Sequence, residues 1–264
     1  MLITPAQCRR LVHSTTELGG TVPAELNDII ASFDALDAWS PALPPSVQST
    51  ITSGEFTAKT AADILDAALT VPAVEPTAVR SVAAQQLVLK FARAVKGDAG
   101  DALLIGLRPT FEAACAGIAA AFEAGITADT TADQVLEMGG KTVQAWQDIP
   151  KHRRVLDGIH GRIVSVLTSA HEFNVIGEMP WMHPDSARVM QVAFYASHDD
   201  ADLTQGARYL EPMTATGRAG VWLRLITTTQ LQLNTVSRAR EIVDNRTAAH
   251  AEAQRQQFEA SHAS

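Results

Sequence analysis

The chain is predicted to be all-α, a helical bundle with extended loop arms and room for a short β element at 221–236. Three observations predict this. About one of every six of the 264 residues is Ala, which has the best intrinsic helix propensity because it loses no side-chain entropy on helix formation. Aromatics make up only 5%, and small side chains let helices approach closely. Apolar residues recur at three- and four-residue spacing along most of the chain, punctuated by helix start and stop signals.

The first helix starts after Thr4, with Pro5 at its first position and Gln7 completing a Thr-x-x-Gln capping box. Leu11, Val12 and Leu18 give it an apolar side, and Gly19-Gly20 ends it. A second helix runs from near Pro23 to about Trp39, on Leu26, Ile29, Ile30, Phe33 and Leu36. Residues 40–56 hold three prolines and several Ser/Thr, the composition of a linker or extended arm. A third helix is expected over Lys59–Leu69, and prolines at 72 and 76 break the chain after it.

From Thr77 to about Gly125 the pattern fits two long helices with a turn at 97–100, and Pro109 is expected to kink the second or restart it. Two more helices are expected over Thr131–Met138 and Lys141–Phe173, the latter kinked at Pro150. A loop with two prolines follows at 174–184, then helices over Asp185–His198 and about Leu203–Leu210. In 221–236 the alternation of Val221, Leu223 and Leu225 and a run of Thr suggest β, while Leu225, Ile226, Leu233 and Val236 fit an amphipathic helix. The helical surroundings favour helix. From Ser237 the chain is polar and reads as an exposed helix fraying into a tail. The expected organisation is N-terminal helices and arm (1–56), a central bundle (57–173), a helical or mixed region (174–236) and a polar C-terminal helix or tail (237–264).

The formal charge of −8 argues against a general or sequence-specific nucleic-acid binder, which needs clustered Lys and Arg. Cys8 and Cys115 are far apart with no Cys-x-x-Cys spacing, so buried thiols are expected rather than a disulfide framework or zinc site. The N-terminus lacks a basic segment followed by an apolar stretch. No apolar run of spanning length free of Ala is present. A cytoplasmic chain with no membrane partner is expected.

Signatures for common chemistries are missing: there is no Gly-x-Ser-x-Gly, Walker loop, His-Glu-x-x-His or Gly-x-Gly-x-x-Gly. "MGGKT" at 138–142 ends like a phosphate loop but lacks the first Gly and a preceding strand. The densest basic run is "KHRR" at 151–154, followed by His160 and Arg162. Arg154, Gly158 and Arg162 share one helix face. The run could touch nucleic acid or an acidic partner, which makes Arg153, Arg154 and Arg162 partner-binding candidates, against the plainer reading of a solvated face. Trp181, Met182 and Trp222, large apolar residues in an aromatic-poor chain, are candidate partner anchors, or else close the core.

"SHDD" at 197–200 carries a His-Asp doublet. In that doublet the chain resembles the HD-type metal phosphohydrolases, which are all-α. The resemblance implies metal ligands at His198 and Asp199, with His160, His171 and Glu172 as the nearest further candidates. A bound metal would activate water against a phosphoester. No Gly-Lys follows the doublet, and the favoured reading is that these acids end one helix and cap the next. "YASHD" also resembles the Tyr-x-x-x-Asp export signal of small helical substrates of mycobacterial type VII secretion, without the Trp-x-Gly turn those carry.

In composition and architecture the whole chain resembles virion proteins of tailed phages that infect high-GC actinobacteria, such as head–tail connectors or minor head proteins. The Arg-over-Lys bias, 16 against 5, fits a GC-rich origin. This resemblance implies a non-enzymatic assembly protein without cofactor, forming a homo-oligomer and contacting other virion proteins. It would be cytoplasmic during assembly and then part of the virion.

Overall fold

Thr4 starts the first helix as its sequence predicts. Its side chain accepts from the Gln7 amide, and Gln7 reaches back to the Thr4 backbone at 2.8 Å. The computed structural model describes residues 3–38, 76–177, 186–195, 200–210, 217–229 and 231–262. The expected arm at 40–56 and helix at 59–69 lie outside these, as do Trp181, Met182, His198 and Asp199.

Helices α1 (Pro5–Glu17) and α2 (Ala24–Ala38) form an antiparallel pair. Arg9 clamps them, its Nη2 lying 2.8 Å from Asp34 and 2.6 Å from Asp37. Next come α3 (Pro76–Lys96) and α4 (Asp98–Glu123). The turn expected at 97–100 shrinks to Gly97, because Asp98 and Asp101 already sit in the first turn of α4, where acids are favoured by the helix dipole. Helix α4 also runs unbroken through Pro109. An interior proline costs about 3 kcal/mol locally. Buried Leu103, Leu104, Leu107, Phe111, Ala114 and Ile118 flank it on both sides, and that packing holds the helix together.

Thr131 caps the short α5 (Ala132–Met138) with a second capping box. Helix α6 (Gly140–Ile159) crosses α4 closely at Gly117, where the absent side chain leaves room for the His152 ring. Like α4, it continues through its proline, Pro150. The single helix expected to reach Phe173 instead passes into a π turn at His160–Val164 and one last α turn, α7 (Ser165–Thr168). The Ser165 amide bonds the His160 carbonyl, the five-residue reach that defines the π turn. Phe173 lies in the following turn and is buried there.

The remaining helices are α8 (Ser186–Val192), α9 (Asp200–Tyr209), α10 (Val221–Thr228) and α11 (Val236–His262). Among the described residues there is no strand. The ambiguous stretch divides. Residues 221–228 are helical with Trp222, Leu223 and Leu225 buried, and 231–235 run non-helical. There the Gln232 amide bonds the Tyr195 carbonyl at 3.3 Å and the Asn234 amide bonds that of Phe194 at 2.9 Å. One short polar link to a turn takes the place of a ladder.

Helix α4 is the hub. It contacts α3, α6, α10 and α11, and one apolar cluster runs around it from Cys8 to Val243. By length and composition α4 is also apolar enough to cross a membrane; its Leu103, Leu104, Leu107, Phe111 and Ile118 pack into this cluster. At the other end of the chain, α11 is anchored by Val236, Ala239, Ile242 and Val243, and by Asp101 accepting from the Ser237 amide at 2.9 Å. No residue from 244 to 262 is buried.

Candidate functional site: an arginine groove on helix α6

Helical periodicity puts Pro150, Arg153, Arg154, Asp157 and Gly158 along one side of α6, and Arg162 extends the line into the π turn. Arg218 arrives from the 217–220 turn. Together these seven residues line an open groove of about 660 Å3. The structure therefore brings Arg154, Gly158 and Arg162 to one groove, as their spacing predicts, and adds Arg153 and Arg218.

The turn is held by the groove's own arginines. Arg153 Nη1 donates to the Gly217 and Arg218 carbonyls at 3.4 and 3.2 Å. Gly220 has φ +61, and a Cβ there would lie 3.0 Å from the Arg153 guanidinium carbon. Gly217 has φ +77 and packs onto the Ala128 carbonyl. Only glycine adopts these backbone angles at such close quarters without strain. Arg218 Nε donates to the Trp146 carbonyl at 2.9 Å, and its guanidinium lies 5.0 Å from the centroid of the Trp146 ring.

Two groove charges are compensated. Arg153 Nε pairs with Asp157 Oδ2 at 3.1 Å, and Arg162 pairs with Glu17 at 2.9 Å. Arg218 meets a carbonyl and a ring but no carboxylate, and Arg154 has no hydrogen bond or ion pair among the described residues. Among the described residues the groove therefore keeps two uncompensated positive charges, on a chain of net charge −8.

Beneath the groove lies an aromatic cluster. Trp222 is fully buried, with its indole Nε1 donating to Asp157 Oδ1 at 2.7 Å. Of the two roles its sequence context allows, it takes core closure; a side chain with no exposed surface cannot anchor a partner. Tyr195 stacks on Phe111 (5.8 Å, 11°) and meets Trp222 edge-on at 5.6 Å. His160 contacts both rings, and its Nδ1 lies 3.2 Å from the Tyr195 hydroxyl. Burial lowers the His160 pKa, with Asp157 opposing, and pushes the Tyr195 hydroxyl well above its usual range.

Comparison of the chain with family models, curated proteins and solved structures finds no match.

The metal-ligand candidates are placed differently. His171 and Glu172 sit in the turn after α7, where Glu172 accepts from Gln7 Nε2 at 3.2 Å. His160 is enclosed by the aromatic cluster. Among the described residues no three His, Cys, Asp or Glu side chains gather where they could hold a metal. No spacing or motif in the sequence marks Asp157, Tyr195 or Arg218 as groove or cluster residues, or places His160 among the rings. The one local signal for Arg218 was its place between two glycines in "GRAG". The arrangement offers fixed guanidinium donors in an open concavity, chemistry suited to holding an anion.

Proposed function

We propose that the chain is a non-enzymatic assembly protein that works by packing against other subunits, with a tailed-phage virion as its setting and a head–tail connector or minor head protein as its role. The observation that carries this reading is the exposed span of α11. Residues 244–262 stay helical with none of them buried. Most helical stability in proteins comes from tertiary packing of one face. This span has instead local pairs such as Arg255–Glu252 at 3.1 Å, and a Phe258 that is 63% exposed. A subunit that lays this helix on a neighbour gains the packing that its own core does not supply. Exposed Phe122, Leu136 and Met138, toward the end of α4 and in α5, add apolar surface of the kind buried between subunits.

The experiment is native mass spectrometry of the untagged full chain, purified without chelator, alongside a phosphoesterase assay with added divalent metal. A metal-free ring or higher oligomer, shifted to smaller species by removing residues 244–264, is expected. A monomer with stoichiometric metal and phosphoester turnover overturns the proposal.

A further inference from the structure

Resting on the assembly reading, we infer that the α6 groove is the docking site for an extended, Asp/Glu-rich segment of a partner protein, with Arg154 and Arg218 taking its carboxylates. Four guanidiniums converge on one concavity of about 660 Å3. Asp157 and Glu17 neutralise Arg153 and Arg162, so the charge offered to a ligand is that of Arg154 and Arg218.

Arg218 is built in rather than left to roam. Its Nε is spent on the Trp146 carbonyl and its guanidinium carbon lies 5.0 Å from the centroid of the Trp146 ring, while Nη1 and Nη2 have no acceptor among the described residues. A planar donor fork held this way matches a carboxylate in two-pronged fashion and loses little freedom on binding. Arg153 is fixed similarly, by Asp157 and by the Gly217 and Arg218 carbonyls. Arg154, the exposed unpaired member, supplies the mobile contact.

Phosphate is the other anion a guanidinium takes. Polynucleotides are recognised by long basic tracks interleaved with free aromatic faces on which bases stack. Here the basic surface is one local concavity, Arg218 lies over the Trp146 ring beside it, and the chain carries net charge −8, which repels a polyanion at longer range. A short acidic segment engages the groove without bringing that much charge against the rest of the surface.

The test is fluorescence anisotropy of a labelled oligoglutamate peptide with the full chain at low ionic strength, run beside a labelled oligothymidylate of equal charge. Saturable oligoglutamate binding is expected, about tenfold weaker in Arg154→Glu and in Arg218→Gln. Lys90→Glu, exposed on α3 and part of neither the groove nor α11, is expected to leave it unchanged. Arg154→Glu touches no internal contact, so its melting temperature should match the parent and loss of binding cannot be blamed on unfolding. Absence of oligoglutamate binding, indifference to Arg154→Glu, or tighter binding of oligothymidylate overturns the inference, the last by assigning the groove to phosphates. Native mass spectrometry of the same samples separates the two ideas. A chain that assembles but ignores oligoglutamate loses only the groove assignment, and one that binds it yet never assembles loses the assembly reading.

Discussion

Arg218 donates through Nε to the carbonyl of Trp146 at 2.9 Å, the one carbonyl in that turn of α6 that Pro150, four residues on, cannot serve. A proline inside a helix has no N–H for its i−4 partner. Arg218 fills that place from a turn 72 residues away in sequence. The defect in the helix thus docks the 217–220 turn and points to why α6 passes through Pro150 unbroken. Pro150→Ala restores an internal donor. A double-mutant cycle of Pro150→Ala with Arg218→Ala, read by urea unfolding, should give a coupling of about 0.5–1.5 kcal/mol, Arg218→Ala costing less when residue 150 is Ala.

The bond from Trp222 to Asp157 makes the half-exposed carboxylate part of the core. Asp157→Ala leaves a buried indole N–H without an acceptor and frees Arg153 from its partner. A loss of about 1–3 kcal/mol is expected, measured as a lower urea midpoint with a changed tryptophan emission maximum. Asp157→Asn retains an acceptor and should cost less.

His160 predicts the acid side of the stability curve. Burial lowers its pKa from the ordinary 6.5, so the unfolded chain takes up a proton at a higher pH than the folded one. Its contribution is fully present above 6.5 and is lost progressively as pH falls below that value towards the lowered folded pKa. Urea midpoints measured across this window should fall with pH, and His160→Gln should flatten that slope.

Both thiols should be unreactive in the native protein. Burial pushes Cys8 and Cys115 up to about 12, which leaves almost no thiolate at neutral pH. Ellman's reagent at neutral pH should label neither cysteine rapidly until urea is added, when both should react.

The 217–220 turn gives a graded pair. Gly220→Ala forces a Cβ into a left-handed backbone and against the Arg153 guanidinium. The strain should cost about 1–2 kcal/mol, seen as a lower melting temperature. Gly217→Ala adds a clash with the Ala128 carbonyl, which is backbone and cannot swing aside, so its melting temperature should fall further.

The readable parts of this protein are those where cause and effect are close in sequence. Thr4, Pro5 and Gln7 define the start of α1 because a capping box spans four residues. The stripe of Leu26, Ile29 and Phe33 is the buried face of α2, since helical period alone selects a face. Arg154, Gly158 and Arg162 line one groove for the same reason. At Pro109 local rules allowed a kink or a restart, and packing on both sides of the residue excludes the restart; they misjudged the end of the long helix after Ile159, where the π turn begins. They also left 221–236 open, because its helix and its non-helical half are separated by what each half packs against.

By itself, then, the sequence determined an all-α protein, the faces of its helices and a basic line along α6. The tertiary structure decided that Trp222 closes the core, that His160 sits among rings, and that Arg218 completes the groove through a carbonyl orphaned by Pro150. Each of those depends on residues tens of positions apart that meet only when the chain has folded, and neither spacing nor composition carries that information.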